Sequence, residues 1–202
     1  MFVKRIACPV DSLGPGRRAV VWTVGCTKCC AGCANPDLWE ADSSIPNYSV
    51  ANLAELLGRL NVQQGIHRLT LTGGDPLEQV RDTVDLLKTV RPYFDDILVY
   101  TGFTLDEVQS RLTEDEFRML ATCADVLVDG PYVDALNDGA SALRGSTNQI
   151  IHFFNADSKK EYCAYLAEGR KVSNLLYSGQ LLSVGIHKRD PYGTSMEGDS
   201  RE

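Results

Sequence analysis

The chain has 202 residues, enough for one domain with a sizeable core. Its 20 basic and 27 acidic residues leave a net charge of −7, which argues against nucleic-acid binding as the main activity, because phosphate neutralisation needs a basic face. No run approaches the roughly 18 apolar residues of a membrane span, and Met1-Phe2-Val3-Lys4-Arg5 opens no signal-peptide core, so the expected location is the cytoplasm.

In chain order, Ala19 to Val24 is apolar and β-branched and predicts a strand that ends at a loop of cysteines. Val50 to Leu60 has helical spacing (Leu53, Leu56, Leu57, Leu60), with Ser49 as N-cap. Arg68 to Thr72 predicts the next strand, ended by Gly73-Gly74, and Leu77 to Val90 a helix. Ile97 to Tyr100 is a strand ending at Thr101-Gly102. Two short helices, Leu105 to Leu112 and Glu114 to Thr122, lead to a strand over Asp125 to Val128 that stops at Asp129-Gly130-Pro131. Gln149 to Phe154 is a further strand and Lys159 to Ala167 a helix. Ser178-Gly179-Gln180 between two apolar runs predicts a hairpin. Residues 1–187 are expected to form one domain, and 188–202, polar with Pro191 and Gly193, a frayed tail.

Strands alternating with helices predict an α/β fold, a parallel sheet with right-handed crossovers and helices outside. The distinctive segments all follow strands. In such sheets ligands collect at the carboxyl ends of the strands, so the cysteine loop, Gly73-Gly74, Thr101-Gly102 and Asp129-Gly130 are expected on one rim.

Four of the seven cysteines fall between Cys26 and Cys33. Loops that short seldom close into disulfides, and clustered cysteines in a cytosolic chain more often bind metal. Cys26-x3-Cys30-x2-Cys33 can hold three irons of a 4Fe–4S cube and leave the fourth open to a ligand; thiolates suit such clusters as soft anionic donors. Cys29 offers competing pairs. A four-cysteine zinc site is the other reading of the loop, although zinc usually draws two pairs from separated knuckles and no second Cys-x2-Cys follows. Cys8, Cys123 and Cys163 read as ordinary thiols, and His67, His152 and His187 as packed or surface histidines, with no ligand spacing between them.

Gly73-Gly74-Asp75-Pro76 between strand and helix allows a ligand close to the backbone, with an acid that can accept from an ammonium; a turn with a helix-starting proline is an equal reading. Together with the cysteine loop, this segment resembles the radical S-adenosylmethionine (SAM) superfamily. Gly14-Pro15-Gly16-Arg17-Arg18 resembles the Gly-Pro-Gly-x-Arg approach found in activases of glycyl radical enzymes, or is a turn before a strand. Arg17 and Arg18 with Lys28 could form a basic patch for an acidic electron donor, or be solvated surface charge. Four more segments recur in order: Cys33-Ala34-Asn35-Pro36-Asp37-Leu38-Trp39, Tyr100-Thr101-Gly102-Phe103-Thr104, Val126-Leu127-Val128-Asp129-Gly130-Pro131-Tyr132 and Leu143-Arg144-Gly145-Ser146-Thr147-Asn148-Gln149. With them the chain, from Val10 to Phe153, resembles the activating enzymes of class III anaerobic ribonucleotide reductase.

The resemblance implies a partial (β/α) barrel of the radical SAM type. It implies a 4Fe–4S cluster held by Cys26, Cys30 and Cys33 with Cys29 a bystander, and SAM lined by Gly32, Ala34, Gly73 and Gly74, with Asp75 near its amino group. Asp129, Arg144, Ser146 and Asn148 become candidates for SAM carboxylate or ribose contacts. From the residues alone, Asp129 also reads as a turn cap and Arg144 as a surface ion-pair partner. The implied activity is reductive cleavage of SAM and removal of a hydrogen atom from a glycine of a partner enzyme, with a flavodoxin- or ferredoxin-type reductant. No auxiliary-cluster domain or substrate cap fits in so short a chain, so a macromolecular substrate at an open mouth is expected. Ala34 stands where the family usually has an aromatic, and Cys29 and the long tail are also departures. They leave open another small radical SAM enzyme, acting on a peptide, a nucleotide or a different glycyl radical enzyme. A non-catalytic iron–sulfur or zinc protein, an electron carrier or scaffold, is the rival from another class.

Overall fold

The computed structural model describes residues 1–186; the expected tail at 188–202 and His187 lie outside the described residues. A six-stranded sheet carries β1 (Val3–Val10), β2 (Arg18–Thr23), β3 (Arg68–Gly73), β4 (Asp96–Tyr100), β5 (Val126–Asp129) and β6 (Ile150–Phe153) in that spatial order. The four central strands β2 to β5 are mutually parallel. Both edges are antiparallel, β1 against β2 and β6 against β5, so the expected all-parallel sheet is a mixed one, and it is open.

The central strands are apolar on both faces, as buried parallel strands must be. Ala19, Val21, Leu69, Leu71, Ile97, Val99 and Leu127 point into one core with α1 (Val50–Gln64), α2 (Val80–Val90), α3 (Leu105–Arg111) and α4 (Glu114–Cys123). Leu53 and Leu57 of α1 and Leu86 and Leu87 of α2 are fully buried there, each contributing about 1.5–3 kcal/mol of transfer free energy. The helix starts are written locally. Ser49 accepts from Asn52 N at 3.2 Å, and Thr104 with Glu107 and Thr113 with Glu116 form capping boxes.

The other face is not bare. Val20 and Trp22 pack with Val184 of the hairpin formed by β7 (Val172–Tyr177) and β8 (Gln180–Gly185). Leu98, Val126 and Val128 pack with Tyr162 and Tyr165 of α5 (Lys159–Ala167). The expectation of helices outside therefore holds for α1 to α4, while α5 and the hairpin cover the opposite face. The hairpin turns through Ser178 and Gly179, both at positive φ (50° and 80°), the backbone a two-residue turn of this hand requires.

β1 was not expected. Lys4, Arg5 and Pro9 interrupt its alternation, and an edge strand tolerates both charge and a missing N–H. The predicted helix over Leu77 to Val90 is broken. Pro76–Gln79 is one 3-10 turn, capped by Asp75, before α2 begins at Val80.

Candidate functional site

β2, β3, β4 and β5 end at Thr23, Gly73, Tyr100 and Asp129, and the loops that follow surround a cavity of about 390 Å³. Cys26, Cys30 and Cys33 line it from one side, with Gly32 and Ala34 between and beside them. Gly73 and Gly74 line the floor next to them, and Thr101, Gly102 and Gly130 continue the rim. Seven of the residues singled out from the sequence thus share one cavity: Cys26, Cys30, Cys33, Gly32, Ala34, Gly73 and Gly74.

The cysteine loop is held by its backbone. Gly25 N donates to Leu38 O at 2.9 Å, Cys26 N to Trp39 O at 2.9 Å, and Thr27 N to Glu78 Oε1 at 2.8 Å. Gly74 N donates to Thr23 O at 2.8 Å and Asp75 N to Gly25 O at 2.7 Å, which presses the glycine turn against the loop. A Cβ on Gly74 would lie 2.5 Å from Leu38 O and 2.6 Å from Gly25 O, so only glycine fits. Gly73, at φ +122°, is equally closed: its Cβ would sit 2.4 Å from Thr23 N.

Cys29 differs from its neighbours. It is exposed, sits at φ 42°, and its thiol donates to Cys26 O at 3.2 Å instead of facing the cavity. Burial pushes the Cys26 thiol up. Among the described residues no three Cys, His, Asp or Glu side chains converge on a point where one ion would sit. Three soft thiolates on one loop are a donor set that suits an iron–sulfur cluster.

Asp75 lies beneath the cavity wall. Its side chain is fully buried and accepts from Leu77 N at 2.8 Å, Gly102 N at 2.7 Å and the Thr101 hydroxyl at 2.9 Å. It ties the end of β3 to the end of β4. Burial pushes its pKa up to about 6, against the opposing pull of those hydrogen bonds.

Asp129, Arg144, Ser146 and Asn148 also stand one layer behind the wall, not on it. Asp129 accepts from Leu105 N at 2.6 Å and Ile150 N at 3.2 Å, and His152 Nε2 lies 3.0 Å from it; it joins β5 to α3 and β6 and does not cap its own turn. Ser146 Oγ accepts from Val133 N at 3.1 Å, and Asn148 Nδ2 donates to Pro131 O at 2.8 Å. Arg144 donates to Gln149 O at 3.3 Å and to Ser141 Oγ at 3.4 Å, and makes no ion pair among the described residues. Its Nε and Asn148 Oδ1 are buried polar atoms with no partner among the described residues, which suits a site completed by a polar ligand or water.

Gln149 was quoted within its motif but not singled out, and it does line the cavity. Its Oε1 accepts from Gly145 N at 2.7 Å and Ser146 N at 3.3 Å, while Nε2 donates to Gly130 O at 2.9 Å. Tyr132, Asp134 and Asn137 on the wall facing Gly32 were likewise missed; only their nearness to the Asp-Gly-Pro segment could have flagged them. The basic patch is corrected. Arg18 is fully buried at the start of β2, bonded to Asp96, to Thr70 Oγ1 at 2.6 Å and to Leu69 O at 2.6 Å. Lys28 follows the far end of that strand, so the two cannot share a surface.

A family model described as a 4Fe-4S single cluster domain matches residues 12–152. The anaerobic ribonucleoside-triphosphate reductase-activating protein of Escherichia coli K12 is 35% identical over 153 residues, covering 71% of this chain and 94% of that protein. The protein of the same name from Vibrio cholerae is 35% identical, covering 72% and 94%. That of enterobacteria phage T4 is 33% identical, covering 68% and 85%.

Proposed function

The chain belongs to the family of anaerobic ribonucleoside-triphosphate reductase-activating proteins, and on that premise we propose that it is a radical SAM activase acting on a glycyl radical enzyme. Its protein substrate is an anaerobic ribonucleotide reductase, and a flavodoxin- or ferredoxin-type protein is its reductant. Cys26, Cys30 and Cys33 hold a 4Fe–4S cluster, and SAM lies along Gly32, Ala34, Gly73 and Gly74. The open sheet is read as a partial (β/α) barrel, residues 1–187 as one domain, and the location as cytoplasmic. No helix among the described residues is long and apolar enough to cross a membrane.

Bound together, the cluster and SAM supply reductive cleavage and hydrogen-atom abstraction. The chain's own residues supply position. Gly73 and Gly74 let a ligand lie against backbone, and Asp75 sets the spacing of the β3 and β4 ends through its bonds to Leu77, Thr101 and Gly102. Asp75 thus supports the ligand's amino group from behind the glycine turn. Asp129, Ser146, Asn148 and Arg144 order the opposite loops, with the free Arg144 Nε and Asn148 Oδ1 as the atoms left for polar ligand groups or bridging water. Trp39 and Leu143 add apolar wall to the cavity.

The observation that carries this reading is the placement of Cys26, Cys30 and Cys33 on the cavity shared with Gly73 and Gly74, with Cys29 turned away. The test is anaerobic cluster reconstitution, dithionite reduction and assay of 5′-deoxyadenosine from SAM. Wild type and Cys29→Ala are expected to form it, and Cys26→Ala and Cys30→Ala are not. Equal loss in Cys29→Ala and Cys30→Ala would sink the ligand assignment. A reducible 4Fe–4S cluster that gives no product and no SAM-induced change in its EPR signal would sink the SAM reading and leave an electron carrier.

A further inference from the structure

The family model ends at residue 152, yet Gly185 and Ile186 line the cavity and Arg170 lies directly behind its wall. Gly169, at φ +75°, turns the chain out of α5 and delivers Arg170 inward, where its side chain is only 2% exposed. Its Nε donates to Ser141 O at 3.2 Å. Its Nη2 donates to Asn137 Oδ1 at 2.8 Å and reaches the carbonyls of Arg144 and Gly145 at 3.3 and 3.2 Å. Asp138 supplies a carboxylate at 3.7 Å.

The bonds continue to the cavity. Asn137 Nδ2 donates to the Tyr132 hydroxyl at 3.0 Å, and that hydroxyl donates to Asp134 Oδ1 at 2.8 Å. The Tyr132 ring fills the space over Gly145, where a Cβ would sit 2.9 Å from it, and faces Gly32 of the cysteine loop, where a Cβ would sit 3.3 Å from it. Between β5 and β6 the only regular element is the 3-10 turn Asp134–Leu136. This wall lacks a backbone ladder and has only single backbone bonds such as Thr147 N to Leu136 O at 2.9 Å, so side-chain bonds share in setting its shape. A guanidinium is suited to that task because its five donors are held in one plane.

We propose that Arg170 is a positioning residue that fixes the wall between Tyr132 and Gly145 in the shape that receives SAM, so that the cofactor site of this chain extends beyond the family's matched region. The proposal rests on the SAM reading above. An alternative role, plain charge pairing with Asp138, predicts that lysine would serve as well.

The test compares Arg170→Ala and Arg170→Lys with wild type by two independent readouts. Hydrogen exchange of the cluster-free protein under reducing conditions reports the order of the 132–145 amides. Equilibrium dialysis of SAM against the cluster-loaded protein reports affinity. Both variants are expected to exchange faster at 132–145, to keep wild-type iron content, and to bind SAM roughly 10- to 100-fold more weakly, the range typical of supporting residues around a site. Wild-type behaviour of Arg170→Lys overturns the proposal in favour of charge pairing. Faster exchange with unchanged affinity also overturns it. Should Arg170→Ala fail to fold, Arg170→Gln, which loses the planar fork but keeps a polar side chain, is read in its place. A wild-type protein that takes up its cluster but does not bind SAM overturns the cofactor reading, while hydrogen exchange still decides whether Arg170 orders the wall.

Discussion

Replacing Asp75 with asparagine isolates one buried charge. In the native protein its pKa is pushed up to about 6 from a usual 3.8, chiefly by burial. An acid whose native pKa is raised binds more protons folded than unfolded. Its contribution to stability is therefore fully present below pH 3.8 and lost as the pH rises through about 6. At about 1.4 kcal/mol per decade, the carboxylate costs the cofactor-free protein about 3 kcal/mol by pH 7. Asparagine relieves that cost but turns one oxygen into a donor facing the N–H of Leu77 or Gly102, both now at 2.8 Å or less from Asp75. Losing one bond to a charged acceptor and stranding one buried N–H cost about 1.5–3 and about 1–3 kcal/mol. Together, about 2.5–6 kcal/mol, these losses match or exceed the relief at pH 7, and asparagine is poorer still at pH 4. The assay is denaturant unfolding of both proteins, reduced and cluster-free, from pH 4 to pH 7. The wild-type advantage should shrink by about 2.4 kcal/mol across that range. An advantage that stays constant with pH would refute the burial argument.

Gly74→Ala forces its Cβ onto the carbonyls of Leu38 and Gly25, at 2.5 and 2.6 Å, so the cysteine loop must shift. We expect about 1–3 kcal/mol of destabilisation by denaturant unfolding and a lower iron content after reconstitution than in Gly58→Ala, whose Cβ meets only the Tyr93 ring at 3.6 Å. Arg18→Met strands Asp96 in the core and should cost about 3–5 kcal/mol in denaturant unfolding. Adding Asp96→Leu should recover much of it, because the apolar pair leaves no buried charge.

The parts of the fold written locally were legible in the sequence. Ser49 before Leu53 and Leu57 marked α1 because a cap and an apolar stripe lie within one short window. The central strands were legible because burial on both faces makes them continuous apolar runs. β1 was not, since an edge strand obeys weaker rules and its register comes from β2. The mixed direction of the sheet was hidden for the same reason: β6 reads as a strand whichever way it runs, and the return from β5 through residues 130–149, which carries no crossover α-helix, decides.

The site divides along a similar line. Cysteines and glycines act through backbone placement, so their spacing carries to the cavity almost unchanged. Asp75, Asp129, Ser146 and Asn148 act through side-chain direction, and sequence spacing does not say whether a carboxylate faces a ligand or the N–H groups of the next strand. Here it faces the N–H groups of Leu77 and Gly102 for Asp75, and of Leu105 and Ile150 for Asp129. Both acids lie at or just after a strand end where unpaired backbone donors are plentiful, and a buried carboxylate without such partners would cost several kcal/mol. The rim is thus held in shape by acids that spend their oxygens on backbone, while the glycine turns and the cysteine loop line the cavity itself.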